Sequence, residues 1–145
     1  IYPLSLHDAL PICFRRALRE AGLDPDVEIL TDEPSSVGLG SKLLARMLEH
    51  APACDAVFCC NDDLALGALF ECQRRGVLVP GQMAIAGFND LPPSAWATPS
   101  LTTITTPRYQ IGFEAARLLL QILDGHPPER NHIDLRFTLT PRESA

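Results

Sequence analysis

The stretch FCCNDDLALGAL, residues 58–69, joins a short apolar run to a helical pattern. Asn61 stands at the junction and suits an N-cap, because its side chain can accept a backbone N–H of the first turn. Asp62 and Asp63 follow, where the helix dipole favours carboxylates. The apolar run at 56–60 predicts a strand that is buried on both faces and leads directly into the helix.

The same order of strand and helix repeats along the chain. Apolar strands are separated by helical patterns of about 12 to 14 residues, which is typical of βα units with a parallel sheet. We predict strands at 27–30, 56–60, 83–88, 101–106 and 133–140, and helices that end at Gly22, at about 51, before Gly76 and at 124. The sequence therefore predicts an α/β protein.

The alternation stops after Phe88, at the segment NDLPPSAWATPS, residues 89–100. Its three prolines exclude a helix or a central strand. One strand, one helix and a returning strand follow, which predicts that the chain leaves one lobe, enters another and comes back. We expect 13–90 and 132–145 to form one nearly complete lobe, and 91–131 to form the crossover and part of a second lobe.

The composition is that of a soluble globular domain, with 46% hydrophobic and 21% charged residues among 145. The net charge is −6 and Lys42 is the single lysine, so this chain lacks the clustered cations that bind phosphate backbones. No apolar run approaches the length of a membrane span. The five cysteines are odd in number and lack paired spacing, which predicts reduced thiols in a cytoplasmic protein.

The first dozen residues differ in character from the rest. With permitted codons, SLHDALPI at residues 5–12 back-translates to the end of a sequencing-library adaptor read as coding sequence. We therefore expect residues 1–12 to be non-native and Phe14 to be the first residue that is native as written. At position 13 we expect the natural protein to have glycine instead of Cys13. The alternatives are a genuine N-terminal loop or a signal peptide, and the latter fits poorly because no basic region precedes the apolar residues.

A metal site or a catalytic site within residues 58–69 is disfavoured by elimination. Neighbouring strand residues point to opposite faces, so Cys59 and Cys60 cannot chelate one ion together, and no histidines stand at ligand spacing. An α/β enzyme that uses Asp62 would need a nucleophile or a base partner, and none is evident. We therefore predict no metal, no cofactor and no catalysis.

Asn-Asp pairs follow two successive predicted strands, in VFCCND and in IAGFND. Ligands of open α/β sheets bind at the carboxyl ends of the strands, where both pairs are expected to lie. Amides and carboxylates suit polyhydroxylated ligands, because each can form a hydrogen bond with a hydroxyl group. Helix capping alone is the competing interpretation of the first pair. The occurrence of an Asn-Asp pair at two strand ends favours a ligand site over capping alone.

The segments DAVFCCNDDLALGAL, RRGVLVPGQMAIAGFNDLPPSAWATPSLTTITTP and IGFEAARLLL resemble the effector-binding region of the lactose/galactose-repressor family (LacI/GalR). The resemblance covers residues 14 to about 142, and its motifs stand in the family's order. GLGSKLLARML and TTPRYQIG look most similar to gluconate-type repressors. The resemblance implies a two-lobed, periplasmic-binding-protein-like fold with parallel sheets, which holds a sugar or sugar-acid effector between its lobes.

The resemblance also implies roles for individual residues. Asn61 and Asp62 match the family's effector-contacting Asn-Asp pair. Asn89 matches a polar residue that faces the cleft, where the family often has an acidic residue. An arginine that commonly binds effector falls within the suspected non-native segment. Family members dimerise through this domain, and the implied homodimer interface contains Leu66, Leu69, Phe70 and Trp96. A second interpretation makes Trp96 a sugar-stacking aromatic.

These features predict the effector-binding and dimerisation region of a bacterial LacI-type transcriptional regulator, with gluconate as a candidate effector. Operator DNA would be bound only through an N-terminal helix-turn-helix domain outside this chain, and no membrane is involved. The alternative is an extracytoplasmic sugar-binding protein of a transporter, which would share the fold. The coding sequence upstream of Phe14 distinguishes them, because a helix-turn-helix differs plainly from a lipoprotein signal peptide.

Overall fold

The computed structural model describes residues 6–24, 28–128 and 132–145. Its elements in chain order are α1 (Leu6–Glu20), α2 (Val37–His50), β1 (Ala56–Phe58), α3 (Asp62–Arg75), β2 (Ala84–Phe88), a short 3₁₀ helix (Pro92–Ala95), β3 (Thr102–Thr105), α4 (Arg108–Leu123) and β4 (Thr138–Thr140). None of the described helices is both long and apolar enough to cross a membrane.

The four strands form one sheet in the order β1-β2-β3-β4. β1, β2 and β3 are parallel, and β4 runs antiparallel to β3. This mixed, mostly parallel sheet with its helices confirms the predicted α/β class. Since parallel strands end on the same side, residues 59–62, 89–90 and 105 share one end of the sheet, which we call the carboxyl end.

Helix α3 begins and ends where the sequence predicts. The Oδ1 atom of Asn61 accepts a hydrogen bond from the backbone N–H of Leu64 at 3.0 Å, which caps the first turn. Gly76 ends the helix with a φ of 70°, a left-handed conformation that glycine adopts at little cost. The predicted stop at Gly22 is also confirmed, with a φ of 72° after α1.

The core lies where α3 packs against β2 and α2. Its buried members are Leu44, Ala65, Leu66, Ala68, Leu69, Cys72, Met83, Ile85 and Leu101. Two glycines let α2 and α3 approach closely. A Cβ atom on Gly67 would overlap the backbone of Val37, and one on Gly40 would overlap the backbone of Leu64. A side chain at either position would push the helices apart, so the contact depends on glycine.

Two predicted strands differ from the structure. Residues 28–30 form no strand, and residue 27 lies outside the described part of the chain. β1 is shorter than predicted, and it is exposed or half-buried instead of buried on both faces. The reason is its position: β1 is the outermost strand and pairs with β2 alone among the described strands, so its other side is open. Residues 28–30 do not pair with this open edge.

The Pro-rich segment does not lead out of the sheet at once. β3 pairs with β2, so residues 102–105 belong to the same sheet and not to a second lobe. Their β-branched side chains favour this pairing, and Thr102 and Thr103 are buried in it. Helix α4 follows and has no buried residue in the described structure. Residues 102–105 are therefore not part of the predicted crossover, and both the crossover and a second lobe around α4 stay predictions.

The C-terminal segment returns to the sheet as predicted, although β4 is shorter than the expected 133–140. β4 pairs with β3 through Thr103 and Thr140. Beyond it, the buried hydroxyl of Ser144 donates to the carbonyl oxygen of Ile85 at 2.6 Å and accepts from the backbone N–H of Thr102 at 2.8 Å. These bonds tie the end of the chain to both β2 and β3.

The segment predicted to be non-native, residues 1–12, lies partly outside the described residues. Residues 1–5 are not among them, and α1 begins at Leu6. Phe14 stacks on Phe58 with ring centroids 5.6 Å apart, which joins the helix to β1. The non-native origin of residues 1–12 stays a prediction.

Candidate functional site

Asn61 and Asn89 occupy neighbouring strand ends at the carboxyl end. β1 and β2 pair with Phe58 opposite Ala86, and beyond this pair the Cys59 N–H donates to the Ala86 carbonyl at 2.8 Å. Asn61 follows the end of β1 by three residues, and Asn89 directly follows β2. The two predicted site amides therefore lie just beyond the carboxyl ends of two neighbouring parallel strands.

The β2–β3 ladder also extends to this end of the sheet. The Asn89 N–H donates to the carbonyl oxygen of Ile104 at 2.8 Å, and the register then places Thr105 opposite Asn89. An amide, a second amide and a hydroxyl group thus mark three successive strand ends. Each of these groups can donate and accept hydrogen bonds.

The two amides retain hydrogen-bonding capacity. Asn61 uses Oδ1 to cap α3, and its Nδ2 makes no hydrogen bond to any described residue. Asn89 is half-buried, and its side chain makes no hydrogen bond within the described ranges. Its φ is 106°, an uncommon backbone conformation for a residue with a side chain. Such conformations cluster at ligand sites, where the surroundings hold them. Both amides can therefore serve a ligand's hydroxyl groups.

Asp62 is fully buried, and the protein itself satisfies its carboxylate. Oδ1 accepts a hydrogen bond from the Thr103 hydroxyl at 2.6 Å. Oδ2 accepts from the Ser94 hydroxyl and from the Leu91 backbone N–H, both at 2.7 Å. Asp62 has no exposed carboxylate atom, so it cannot make the predicted direct contact with an effector. We correct its role to that of a positioning residue, which ties α3 to β3 and to the segment after β2.

A second carboxylate, Asp90, also organises the carboxyl end. Arg142 Nη2 donates to its Oδ1 at 2.7 Å, and the Thr105 hydroxyl donates to its Oδ2 at 2.9 Å. Burial raises the pKa of Asp90, but hydrogen bonds from Arg142 and Thr105, with the charges of Arg142 and Arg108, lower this pKa more, to below its ordinary value. Asp90 is therefore ionised and paired at neutral pH. The repeated Asn-Asp motif marks Asp90, but the pattern gives no sign of its pairing with Arg142, 52 positions later.

Cys59 and Cys60 offer no reactive thiolate. Burial, followed by the neighbouring Cys60 and Asp62, raises the pKa of Cys59 to about 12. Burial and Glu28 raise the pKa of Cys60. Thiols with raised pKa values stay protonated at neutral pH, and the thiolate is the form that binds metals and attacks electrophiles. Across the described residues, no group of three His, Cys, Asp or Glu side chains is placed to hold a metal ion.

A separate groove of about 480 Å³ lies between α1, α2 and the open side of β1. Its lining is mostly apolar and includes Phe14, Leu43, Met47 and Val57, whereas neither Asn61 nor Asn89 takes part. Such a lining offers few partners for a polyhydroxylated ligand. The carboxyl end is therefore the candidate site.

The four residues predicted for the dimer interface divide into two groups. Leu66 and Leu69 are buried in the core of the chain itself, because this face of α3 packs against α2 and β2. They have no surface for a partner, so this part of the prediction is corrected. Phe70 is 45% exposed and Trp96 is 87% exposed. Trp96 is thus not packed within the described chain, and an interface through Phe70 and Trp96 stays a prediction.

Comparisons with known proteins agree with this architecture. The profile of the periplasmic binding protein-like domain family matches residues 3–145. The HTH-type transcriptional regulator GntR of Pseudomonas aeruginosa is 52% identical over 132 residues, which cover 90% of this chain and 38% of the relative. The crystal structure of transcription regulator GntR from Chromobacterium violaceum has a TM-score of 0.85 and 51% identity, and the match covers 90% of this chain and 48% of that one.

A more distant structure, titled transcriptional regulator CelR-cellobiose complex, has a TM-score of 0.83 and 31% identity. The match covers 90% of this chain and 40% of that one. The chain thus spans less than half the length of each of these proteins.

The chain belongs to the periplasmic binding protein-like domain family. Within this class it is similar, over 90% or more of its length, to part of GntR transcriptional regulators and of a LacI-family regulator structure. Its relatives are transcriptional regulators, which supports the predicted region of a regulator over the sugar-binding protein of a transporter.

Proposed function

We propose that this region binds a sugar or sugar-acid effector at the carboxyl end of its sheet, and that gluconate is the effector. The observation that carries the proposal is the position of Asn61 and Asn89 just beyond the carboxyl ends of neighbouring strands, where the described residues leave the Asn61 Nδ2 and the Asn89 amide available. Two similar proteins bear the name GntR, and another is titled as a cellobiose complex, which supports a carbohydrate ligand.

The two amides form a preorganised half-site. Each hydrogen bond to a neutral hydroxyl contributes about 0.5 to 1.5 kcal/mol, so two amides cannot hold a small polar ligand alone. The other contacts come from the opposite wall of the cleft, in the part of the regulator beyond this sheet. The buried carboxylate of Asp62 and the partly buried carboxylate of Asp90 hold the strand ends that present the amides. This rigidity lowers the entropy lost on binding.

Regulation follows from linkage between effector and conformation. An effector that binds one arrangement of the two lobes more tightly shifts the population toward that arrangement. The coupling free energy by which effector changes operator affinity equals the one by which operator changes effector affinity. We propose that the regulator is a cytoplasmic homodimer with Phe70 and Trp96 at its interface. It binds operator DNA through a domain outside this chain and catalyses no reaction.

The test uses the longer native regulator, with the genomic coding sequence upstream of Phe14 restored. Gluconate, the neutral hexitol sorbitol and adenosine are each titrated by calorimetry. We expect saturable gluconate binding and no response to adenosine. Absence of any carbohydrate binding contradicts the proposal. The same upstream sequence should encode a helix-turn-helix, and a lipoprotein signal peptide in its place would identify a transport protein.

A further inference from the structure

Arg108, the first residue of α4, brings a guanidinium group to the Asn89–Asp90 bend. Its Nη2 donates to the backbone carbonyl of Asp90 at 3.3 Å, directly after Asn89. The backbone N–H of Arg108 donates to the carbonyl oxygen of Thr106 at 2.8 Å, which fixes the start of the helix relative to the end of β3. The side chain itself is exposed. A positive charge thus stands beside the hydroxyl-binding groups.

No carboxylate in the described part of the chain forms an ion pair with Arg108. Asp90 is the acid beside it, and the Asp90 carboxylate is paired with Arg142 at 2.7 Å. Asp62 is buried and bonded to hydroxyl groups and a backbone N–H. Asp63 shares the carboxyl end but lies in the first turn of α3, where the helix dipole stabilises it. The Arg108 charge is therefore available to a ligand.

Several other arginines on described helices are held in ion pairs, although Arg19 and Arg46 form none with the described residues. Arg117, on the same helix, is paired with Glu114 at 2.7 Å. Arg74 and Arg75 of α3 both pair with Glu71. In a chain with a net charge of −6, an unpaired guanidinium at the candidate site is unlike these paired surface charges.

The chemistry of the three groups defines one class of ligand. A guanidinium presents a planar fork of N–H donors that matches a carboxylate, whereas the amides of Asn61 and Asn89 match hydroxyl groups. We infer that Arg108 binds the carboxylate of the effector and makes the regulator selective for sugar acids over neutral sugars and polyols. This inference rests on the proposed site at Asn61 and Asn89, and it adds the residue that selects ligand charge.

The experiment measures gluconate and sorbitol affinities by calorimetry in the longer native regulator. The two ligands differ by a carboxylate in place of a terminal hydroxymethyl group. Three variants are compared with the wild type. Arg108→Gln removes the charge, Arg108→Lys keeps the charge without the fork, and Arg117→Gln removes a paired arginine from the same helix. Circular dichroism checks that each variant is folded, which is expected because all these positions are exposed.

We expect Arg108→Gln to weaken gluconate binding about 10- to 100-fold and to leave sorbitol binding unchanged, since a charged hydrogen-bonded pair is lost. Arg108→Lys should lie between, and Arg117→Gln should match the wild type. If Arg108→Gln bound gluconate as tightly as the wild type does, this inference would be overturned. It would also be overturned if the wild type bound gluconate and sorbitol equally well. Either result would leave the proposed function standing. A wild type that binds neither ligand would contradict the proposed function itself.

Discussion

The carboxylate of Asp62 accepts a hydrogen bond from the hydroxyl of Ser94 at 2.7 Å, and both residues are fully buried. The bond joins the first turn of α3 to the 3₁₀ helix that follows Asn89. Through Thr103, the same carboxylate also reaches β3. A single buried acid thus connects the elements that carry the candidate site, without offering an exposed atom to a ligand.

The first prediction concerns this acid. Asp62→Ala leaves the hydroxyls of Ser94 and Thr103 and the N–H of Leu91 without their partner, so we expect the free energy of unfolding to fall by about 3 to 5 kcal/mol. Asp63→Ala is the matched control in the same helical turn and should cost about 1 kcal/mol or less. Urea unfolding measures both. Equal, small losses for the two variants would mean that the Asp62 network does not stabilise the fold.

Close packing of α2 on α3 gives a second prediction. Gly67→Ala places a Cβ against the backbone of Val37 and Ser41, which cannot move away as a side chain can. We expect a loss of about 1 to 3 kcal/mol from overpacking. Gly38→Ala, in α2 with open space around its Cβ, should instead stabilise the protein by about 0.5 to 1 kcal/mol. Denaturation midpoints that move the same way for both would contradict this packing.

A third prediction concerns pH. The folded pKa of Asp90 lies below its ordinary value, so its pairing with Arg142 stabilises the protein fully above the unfolded pKa of about 4. This contribution is lost as pH falls through the folded pKa. Asp90→Asn should therefore be less stable than the wild type at pH 7, by about 1 to 3 kcal/mol, and the difference should shrink below about pH 4.

The control for this titration is Asp55→Asn, since Asp55 is exposed and forms no salt bridge with the described residues. The free energy of unfolding of Asp55→Asn should differ little from that of the wild type across the same pH range. Thermal unfolding followed by circular dichroism gives the comparison. A difference for Asp90→Asn that does not change with pH would show that its carboxylate is not the titrating group.

Much of the fold could be predicted because its signals are local. The Asn61 cap, the Gly76 stop and the apolar run of β2 each depend on neighbouring residues, and each is confirmed. The errors concern pairing between distant segments. Residues 28–30 have a strand-like pattern but pair with no strand in the described part of the chain, and β3 joins the sheet of β1 and β2 although prolines precede it. Sequence pattern does not specify which strands meet.

The candidate site shows the same limit. The repeated Asn-Asp motif correctly marks two strand ends on the same side of the sheet, because the βα order predicts parallel strands. It does not reveal that Asp62 is turned into the core, while Asn61 beside it caps the helix with Oδ1 and keeps its Nδ2 free of hydrogen bonds to the described residues. Arg108 lies 19 positions after Asn89 in the numbering, and only the fold brings its guanidinium to the Asn89–Asp90 bend. No spacing rule links these positions.

A fourth prediction concerns assembly, in the longer native regulator. Phe70→Glu and Trp96→Glu each place a charge on an exposed aromatic position of the proposed dimer face, so we expect dissociation to monomers. Leu78→Glu changes another exposed apolar residue and should leave the dimer intact. Sedimentation or light scattering reports the mass. A dimer in both aromatic variants would exclude this face.

The central claim is that Asn61 and Asn89 contact the effector, and two substitutions test it without disturbing the backbone. Asn61→Ser keeps a good N-cap for α3 while removing the amide. Asn89→Gly accepts the φ of 106° with no strain. Gln73→Ala, which removes an amide at the far end of α3, is the control.

Calorimetric titration of gluconate into the longer native regulator is the most direct measurement. We expect each single variant to bind about 3- to 10-fold more weakly than the wild type, and the double variant about 10- to 100-fold more weakly, while Gln73→Ala is unchanged. A folded double variant that binds gluconate with the wild-type Kd would place the effector elsewhere and contradict the account.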